Sequence, residues 1–331
     1  MLTTDQTLKV ALMSCAHTHA SGYARLLAAR ADVELVIADP DGFGDVSVPG
    51  VPVVASYEEA WAHWADGPDA IVVTSANAHH HALVMEAARR GVHVLCEKPL
   101  ATTVADAEEM VAACREAGVV LMTAFPVHFS PAVETLRRAV QDGSLGEIVG
   151  LTGTNNGKLP TGRDWFTDVE LSGGGAMVDH TVHVAEILDS IFGPPATVHA
   201  VANRILYADR AGEGAETGGL VTLTYDCGMV ATIDCSWSEP ADSPTWGGLR
   251  LQALGTGGQL QIDAFAQKVG GPGQWHPYGK NLDGELLEAF LGAVRTGEAV
   301  EPTGEVGLRT VKVVAAAQES VRTGEAVRLE S

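Results

Sequence analysis

The stretch LKVALMSCAHTHASGYARLLAA, residues 8–29, runs from a β-rich apolar segment through a short polar loop into residues of helical period. Outward from it the alternation continues through VELVIAD, YEEAWAHWA, DAIVVTSA, HALVMEAARRG, VHVLCE, TVADAEEMVAACREAG and VVLMTAF. Unbroken apolar β-rich runs separated by amphipathic helices predict a parallel sheet covered by helices on both faces, an α/β doubly wound domain.

After about Phe129 the texture changes. Ser130-Pro131 opens a helix over SPAVETLRRAVQDG, since Ser caps free amides and Pro fits the first turn. A second helix, GAMVDHTVHVAEILDSIFG, ends at Gly193 before two prolines. Five strand-like runs follow, TVHAVANRI, GLVTLTYDCG, MVATIDCSW, LRLQALGTGG and QLQIDAF, with hairpin turns expected at Cys227-Gly228 and Gly257-Gly258. Two helical stretches close the chain. The division expected is residues 1–127 as the doubly wound domain and 128–331 as an α+β domain with an open, largely antiparallel sheet. The C-terminal helices are free to pack back on the first domain.

With 331 residues, 46% of them apolar, the chain is long enough for two cores. A formal charge of -21 with no Lys/Arg cluster argues against nucleic acid and anionic membrane surfaces as partners. Five cysteines, an odd set with no C-x-x-C pair, signal neither a disulfide framework nor a thiolate zinc site. No basic leader or long apolar stretch is present, so a cytoplasmic location is expected.

In an open parallel sheet, ligands settle beyond the carboxyl ends of the strands where strand order reverses. The loop after LKVALM belongs there, and glycines normally serve it by allowing a tight turn and close approach of a pyrophosphate. Here Ser14, Ala16 and His19 take the three glycine places, with Cys15, His17 and Thr18 between them. Ser14 and Ala16 are small, whereas His19 puts a ring beside the first helix. Asp39, twenty residues after His19 at the end of VELVIAD, has the spacing of a carboxylate that binds adenosine ribose hydroxyls. It equally fits a strand-end aspartate opening the DPDG turn. With Asp41 close by and no basic neighbour, NAD is favoured over NADP.

The segment ANAHHHALVMEAARRGVHVLCEKPLA, followed by ELSGGGAMVDHTVHVAEILD, resembles the glucose-fructose oxidoreductase / inositol dehydrogenase (Gfo/Idh/MocA) family over nearly the whole chain. The resemblance implies an N-terminal Rossmann domain and an NAD(P)-dependent dehydrogenase or reductase acting on a secondary hydroxyl or ketone of a sugar, cyclitol or related polyol. It implies that Lys98 of the Glu97-Lys98-Pro99 motif contacts the substrate hydroxyl and nicotinamide ribose, that Glu97 shapes the nicotinamide end, and that Pro99 fixes a turn with a cis peptide. Ser75, Asn77 and His80 match the segment flanking the nicotinamide, with Ala76 where the family has proline. Gly173-Gly174-Gly175, Asp179 and His183 match the second signature, which makes His183 the base, Lys98 the partner of the developing alkoxide and Asp179 a positioning group. Asp179 and His183 are four apart and share a helix face, so the carboxylate can orient the imidazole. The resemblance also places substrate contacts in NNGKLPTGRDWFTD, where Lys158 and Trp165 are candidates beside His180, and implies a homodimer or homotetramer.

Seven of the twelve histidines fall at His17/His19, His79/His80/His81 and His180/His183. His17 and His19 suit hydrogen bonds to the pyrophosphate or substrate, or structural packing. No metal is expected, because no thiolate or H-x-x-x-H spacing accompanies them. Two other functional classes stay open: a dinucleotide- or sugar-binding regulator, for which a glycine-less loop would suffice, and a metal-assisted hydrolase or lyase using the histidines.

Overall fold

A computed structural model describes residues 6–243, 245–271 and 274–329. The chain divides into two compact units, residues 1–126 with 281–308, and residues 127–280 with 309–331.

The first unit is built on strands β1 (Leu8–Met13), β2 (Val33–Ala38), β3 (Val53–Val54), β4 (Ala70–Val73), β5 (His93–Cys96) and β6 (Leu121–Thr123). They form one sheet in the order β3-β2-β1-β4-β5-β6, every pair parallel. All four residues of β4 and five of the six in β1 are buried, as apolar runs covered on both faces require. The crossovers carry helices α1 (Ala20–Ala28), α2 (Tyr57–Trp61), α3 (His80–Arg90) and α4 (Val104–Ala117). Thr103 caps α4 by accepting the Asp106 amide at 3.1 Å. Strand order reverses at β1, so the loops after β1 and β4 flank the switch point where this architecture binds ligands.

The second unit holds α5 (Pro131–Gln141), α6 (Val169–Ser172) and α7 (Ala176–Phe192). Its strands are β7 (Ile148–Gly157), β8 (Thr197–Asn203), β9 (Gly218–Thr224), β10 (Val230–Ser236), β11 (Gly247–Gly255) and β12 (Gly258–Asp263), with a two-stranded ribbon β13 (Lys268–Gly271) and β14 (Gln274–Pro277), and β15 (Val327–Arg328). The large sheet runs β12-β11-β7-β10-β9-β8-β15, antiparallel at every pair except β7 with β10. The expected hairpins at Cys227-Gly228 and Gly257-Gly258 are present. β7 corrects the sequence reading, which left Asn155–Gly157 in a loop. Glycine replaces β-branched residues along it because α7 packs close: a Cβ on Gly153 would lie 3.1 Å from Val184 and 2.9 Å from Leu251. One face of the sheet joins Val184, Ile187 and Leu188 of α7 in the core. The other face carries exposed Val149, Val201, Leu220, Val230 and Leu254.

Residues 281–308 return to the first unit, bringing α8 (Leu282–Thr296) and the start of α9 (Gly304–Thr323). Pro302 accepts the Thr123 amide at 2.9 Å beyond β6, and Arg295 pairs with Asp32 at 2.9 Å. Among the described residues no helix is long and apolar enough to cross a membrane.

Candidate active site

In the first unit the loop after β1 is bonded largely to itself. Ser14 has φ +84°, the left-handed conformation that glycine provides at the opening of such loops, and here a serine holds it. Its hydroxyl accepts the Ala16 amide at 3.1 Å, and its carbonyl accepts the Thr74 hydroxyl at 2.6 Å. His17 N–H donates to the Thr74 carbonyl at 2.8 Å, His19 N–H to His17 Nδ1 at 3.2 Å, and Ala20 N–H to the His17 carbonyl at 3.1 Å. Four amides that could meet a phosphate at the start of α1 are thereby engaged. Thr18 is exposed at the tip.

Glu97, at the end of β5, draws both imidazoles to one oxygen. Its Oε1 lies 2.8 Å from His19 Nδ1 and 3.7 Å from His17 Nδ1, while Oε2 accepts the Lys98 amide at 3.1 Å. Glu97 and His17 are buried, and the His19 side chain is 34% exposed. Burial opposes charge on Glu97, but His17, His19 and Lys98 outweigh it and hold the carboxyl well below its usual range. Burial likewise opposes charge on His19, and Glu97 and then Asp283 of α8 turn the net shift upward. Tyr23 of α1 is buried beside Glu97 and Asp283, and its hydroxyl is pushed far up, first by burial and then by those carboxylates. Neither Tyr23 nor Asp283 stood out in the sequence, because only the fold brings α8 beside α1.

The Lys98-Pro99 peptide is cis, as the resemblance implied, and Lys98 is 6% exposed. His80, expected beside the nicotinamide, holds the turn that follows β5. It is fully buried, and Nδ1 meets the Pro99 carbonyl at 3.0 Å and the Leu100 carbonyl at 3.3 Å while Nε2 faces the Ser75 carbonyl at 3.4 Å. Burial lowers its pKa, so the neutral ring donates to the turn that carries Lys98. Ser75 and Asn77 are buried alongside. Asp39 spends its carboxylate on its own loop, accepting the Phe43 amide at 3.1 Å and the Gly44 amide at 2.8 Å. Half-buried at the end of β2, it keeps lone pairs for a ribose but already acts as the turn-former.

These positions fit a dinucleotide in part. The strand ends of β2, β4 and β5 and the turn at Ser14 are where the fold requires them, and the donors of the phosphate loop are where the fit is loosest.

In the second unit Asp179, His180 and His183 stand on α7. The helix start is held by Glu216, whose Oε1 accepts the Gly175 amide at 2.9 Å and the Met177 amide at 3.0 Å. Asp179 Oδ2 accepts from the indole N–H of Trp237 at 3.3 Å and lies 3.5 Å from His180 Nε2. Trp237, fully buried just beyond β10, was visible in SWSEP as a strand end but not as a partner of the signature carboxylate. His180 fits against Gly157, where a Cβ would come within 2.8 Å of Cε1. Lys158 gives its ammonium to the Ser243 carbonyl at 2.6 Å. Trp165 stacks on Phe166 with ring centres 3.9 Å apart, both buried.

A parallel sheet of order 3-2-1-4-5-6, its switch point between β1 and β4, defines a dinucleotide-binding type of fold. Residues 23–125 match the oxidoreductase family with NAD-binding Rossmann fold, and residues 133–261 match the GFO/IDH/MocA C-terminal domain. The chain belongs to the Gfo/Idh/MocA family of NAD(P)-dependent oxidoreductases. It is 31% identical to 1,5-anhydro-D-fructose reductase of Ensifer adhaerens over 80% of each chain. It is 30% identical to D-xylose 1-dehydrogenase (NADP(+)) 2 of Haloferax volcanii over 85% of this chain and 86% of that one. The structure of GenD2 from gentamicin A biosynthesis, in complex with NAD, superposes with a TM-score of 0.87 at 23% identity, covering 98% of this chain and 97% of the other.

Proposed function

We propose that the protein transfers hydride between NAD(H) and a secondary hydroxyl or ketone of a sugar, cyclitol or related polyol. The observation that carries this reading is the buried Glu97-Lys98-cis-Pro99 turn at the carboxyl end of β5 in a family of sugar and cyclitol oxidoreductases. When bound, the nicotinamide accepts or returns the hydride of the carbinol carbon. Lys98 stabilises negative charge growing on the substrate oxygen, an ammonium contribution of about 3 kcal/mol for one well-placed donor. His183 takes the hydroxyl proton in oxidation and returns it in reduction. Asp179, steadied by Trp237, orients the substrate or the imidazole. Asp39 and Asp41 at the end of β2 repel a 2′-phosphate, which favours NAD.

Two relatives named for reduction or oxidation of small sugars support this substrate class. The exposed apolar face of the second sheet supports pairing of subunits through that face. The test is reduction of NAD, followed at the nicotinamide absorbance, across a panel of pentoses, anhydrohexoses and inositols. Lys98→Ala should lower kcat by about 100-fold or more on an active substrate. Unchanged turnover in that variant would end the assignment, and dinucleotide binding without turnover of any polyol would favour the regulator.

A further inference from the structure

His17 and His19 are two residues apart, a spacing that by itself holds no metal. The fold adds what sequence spacing could not show, a buried carboxylate from a strand 78 residues away in the chain. His17 Nδ1, His19 Nδ1 and Glu97 Oε1 form a donor set whose ligand atoms all lie within 4.8 Å of one another.

We propose that His17, His19 and Glu97 form a binding site for a divalent transition metal, with two imidazole nitrogens and one carboxylate oxygen as ligands. Two nitrogens and one oxygen suit zinc, manganese, iron or cobalt and not calcium or magnesium, which take oxygen sets. The geometry is close to what an ion needs. Bonds of about 2.1 Å at tetrahedral angles set ligand atoms about 3.4 Å apart, between the 2.8 Å and 3.7 Å found here. One N···O pair opens slightly and the other closes. A single proton bridges only the shorter of the two approaches, whereas an ion engages all three groups.

The proton that His19 Nδ1 and Glu97 Oε1 share is released when an ion binds, as an imidazole ligand requires. Nδ1 of His17 accepts the His19 amide, so that ring presents an unprotonated nitrogen towards the cluster, and the amide bond yields to the ion on binding. The Lys98 amide fixes the second oxygen of Glu97, the outer contact that ligating carboxylates usually carry. Tyr23 of α1 and Asp283 of α8 lie beside the set. The exposed third of His19 is the path of entry. Three protein ligands leave coordination positions for an anionic oxygen, and the ion brings positive charge to the loop after β1.

The experiment needs no nicotinamide and no substrate, so it is independent of the hydride-transfer reading. Chelator-treated full-length protein is titrated with Zn²⁺ and Mn²⁺ by calorimetry, and metal content after dialysis is read by mass spectrometry. One equivalent per chain is expected. His17→Ala, His19→Ala and Glu97→Gln should each weaken binding by at least about 100-fold, exceeding what loss of an outer contact costs. Circular dichroism identifies variants that fold, and Glu97→Asp, which keeps a carboxylate, should retain measurable binding. His81→Ala, which dismantles the exposed cluster His81, Asp106 and Glu109, should leave the equivalent in place. No binding by the wild type, binding untouched in every folded cluster variant, or loss confined to His81→Ala would overturn the proposal.

Discussion

Ser14 shows how one residue can keep a backbone conformation without the side chain that makes it easy. Its left-handed φ costs a non-glycine residue about 1 kcal/mol, and its hydroxyl recovers part of that by accepting the Ala16 amide. Ser14→Gly should therefore change unfolding free energy by less than about 1 kcal/mol, while Ser14→Val, β-branched and fully enclosed, should lose roughly 2 kcal/mol or more in urea denaturation. His80→Ala frees the Pro99 and Leu100 carbonyls in a buried place. It should cost about 2 kcal/mol and lower kcat through loss of order at Lys98. An unaltered kcat with lowered stability would separate the turn from catalysis. Much at this scale was legible in the chain: the missing glycines, the paired histidines and the E-K-P turn. The turn-forming task of Asp39 was one of two readings its position allowed, whereas that of His80 was not legible, because a spacing shows which strand end a side chain occupies but not which backbone carbonyls it will meet.

At the scale of elements, α7 is a nearly wholly buried helix begun by a carboxylate from outside it. Burial lifts Glu216 above its ordinary 4.5, against the amides of Gly175, Met177 and Val178, which favour the charged form. The folded chain holds that proton more tightly than the unfolded chain. The resulting stability is present below pH 4.5 and is lost as pH rises through the folded value. Glu216→Gln keeps an acceptor oxygen and removes the titration. The Tm of wild type minus that of the variant should fall with rising pH just above 4.5 and then level, as scanning fluorimetry over a pH series would show. Gly157→Ala should displace His180 and lower kcat/KM by about tenfold on any accepted polyol. β7 escaped the sequence reading for the same reason that Gly157 and Gly153 matter. A strand selected for the close approach of a helix loses the alternation that identifies strands, whereas the helices and hairpins, marked by caps and turn glycines, stood out.

At the scale of the whole molecule, an acidic chain with a charge of -21 should use NAD at least about tenfold more efficiently than NADP, measured as kcat/KM on the same substrate. Val201 and Leu220, cross-strand partners on the bare face of the second sheet, give the proposed pairing of subunits a direct test. Changing both to Lys should shift the mass in analytical ultracentrifugation from a multimer to one chain, and an unchanged mass would place the contact elsewhere. The nucleotide unit closes only with residues 281–308, which supply Asp283, the Arg295 pair with Asp32 and the Pro302 bond to Thr123. During synthesis, therefore, all six strands of the first sheet leave the ribosome well before the helix that packs on α1: the unit must wait, incomplete, until more than 150 intervening residues have emerged.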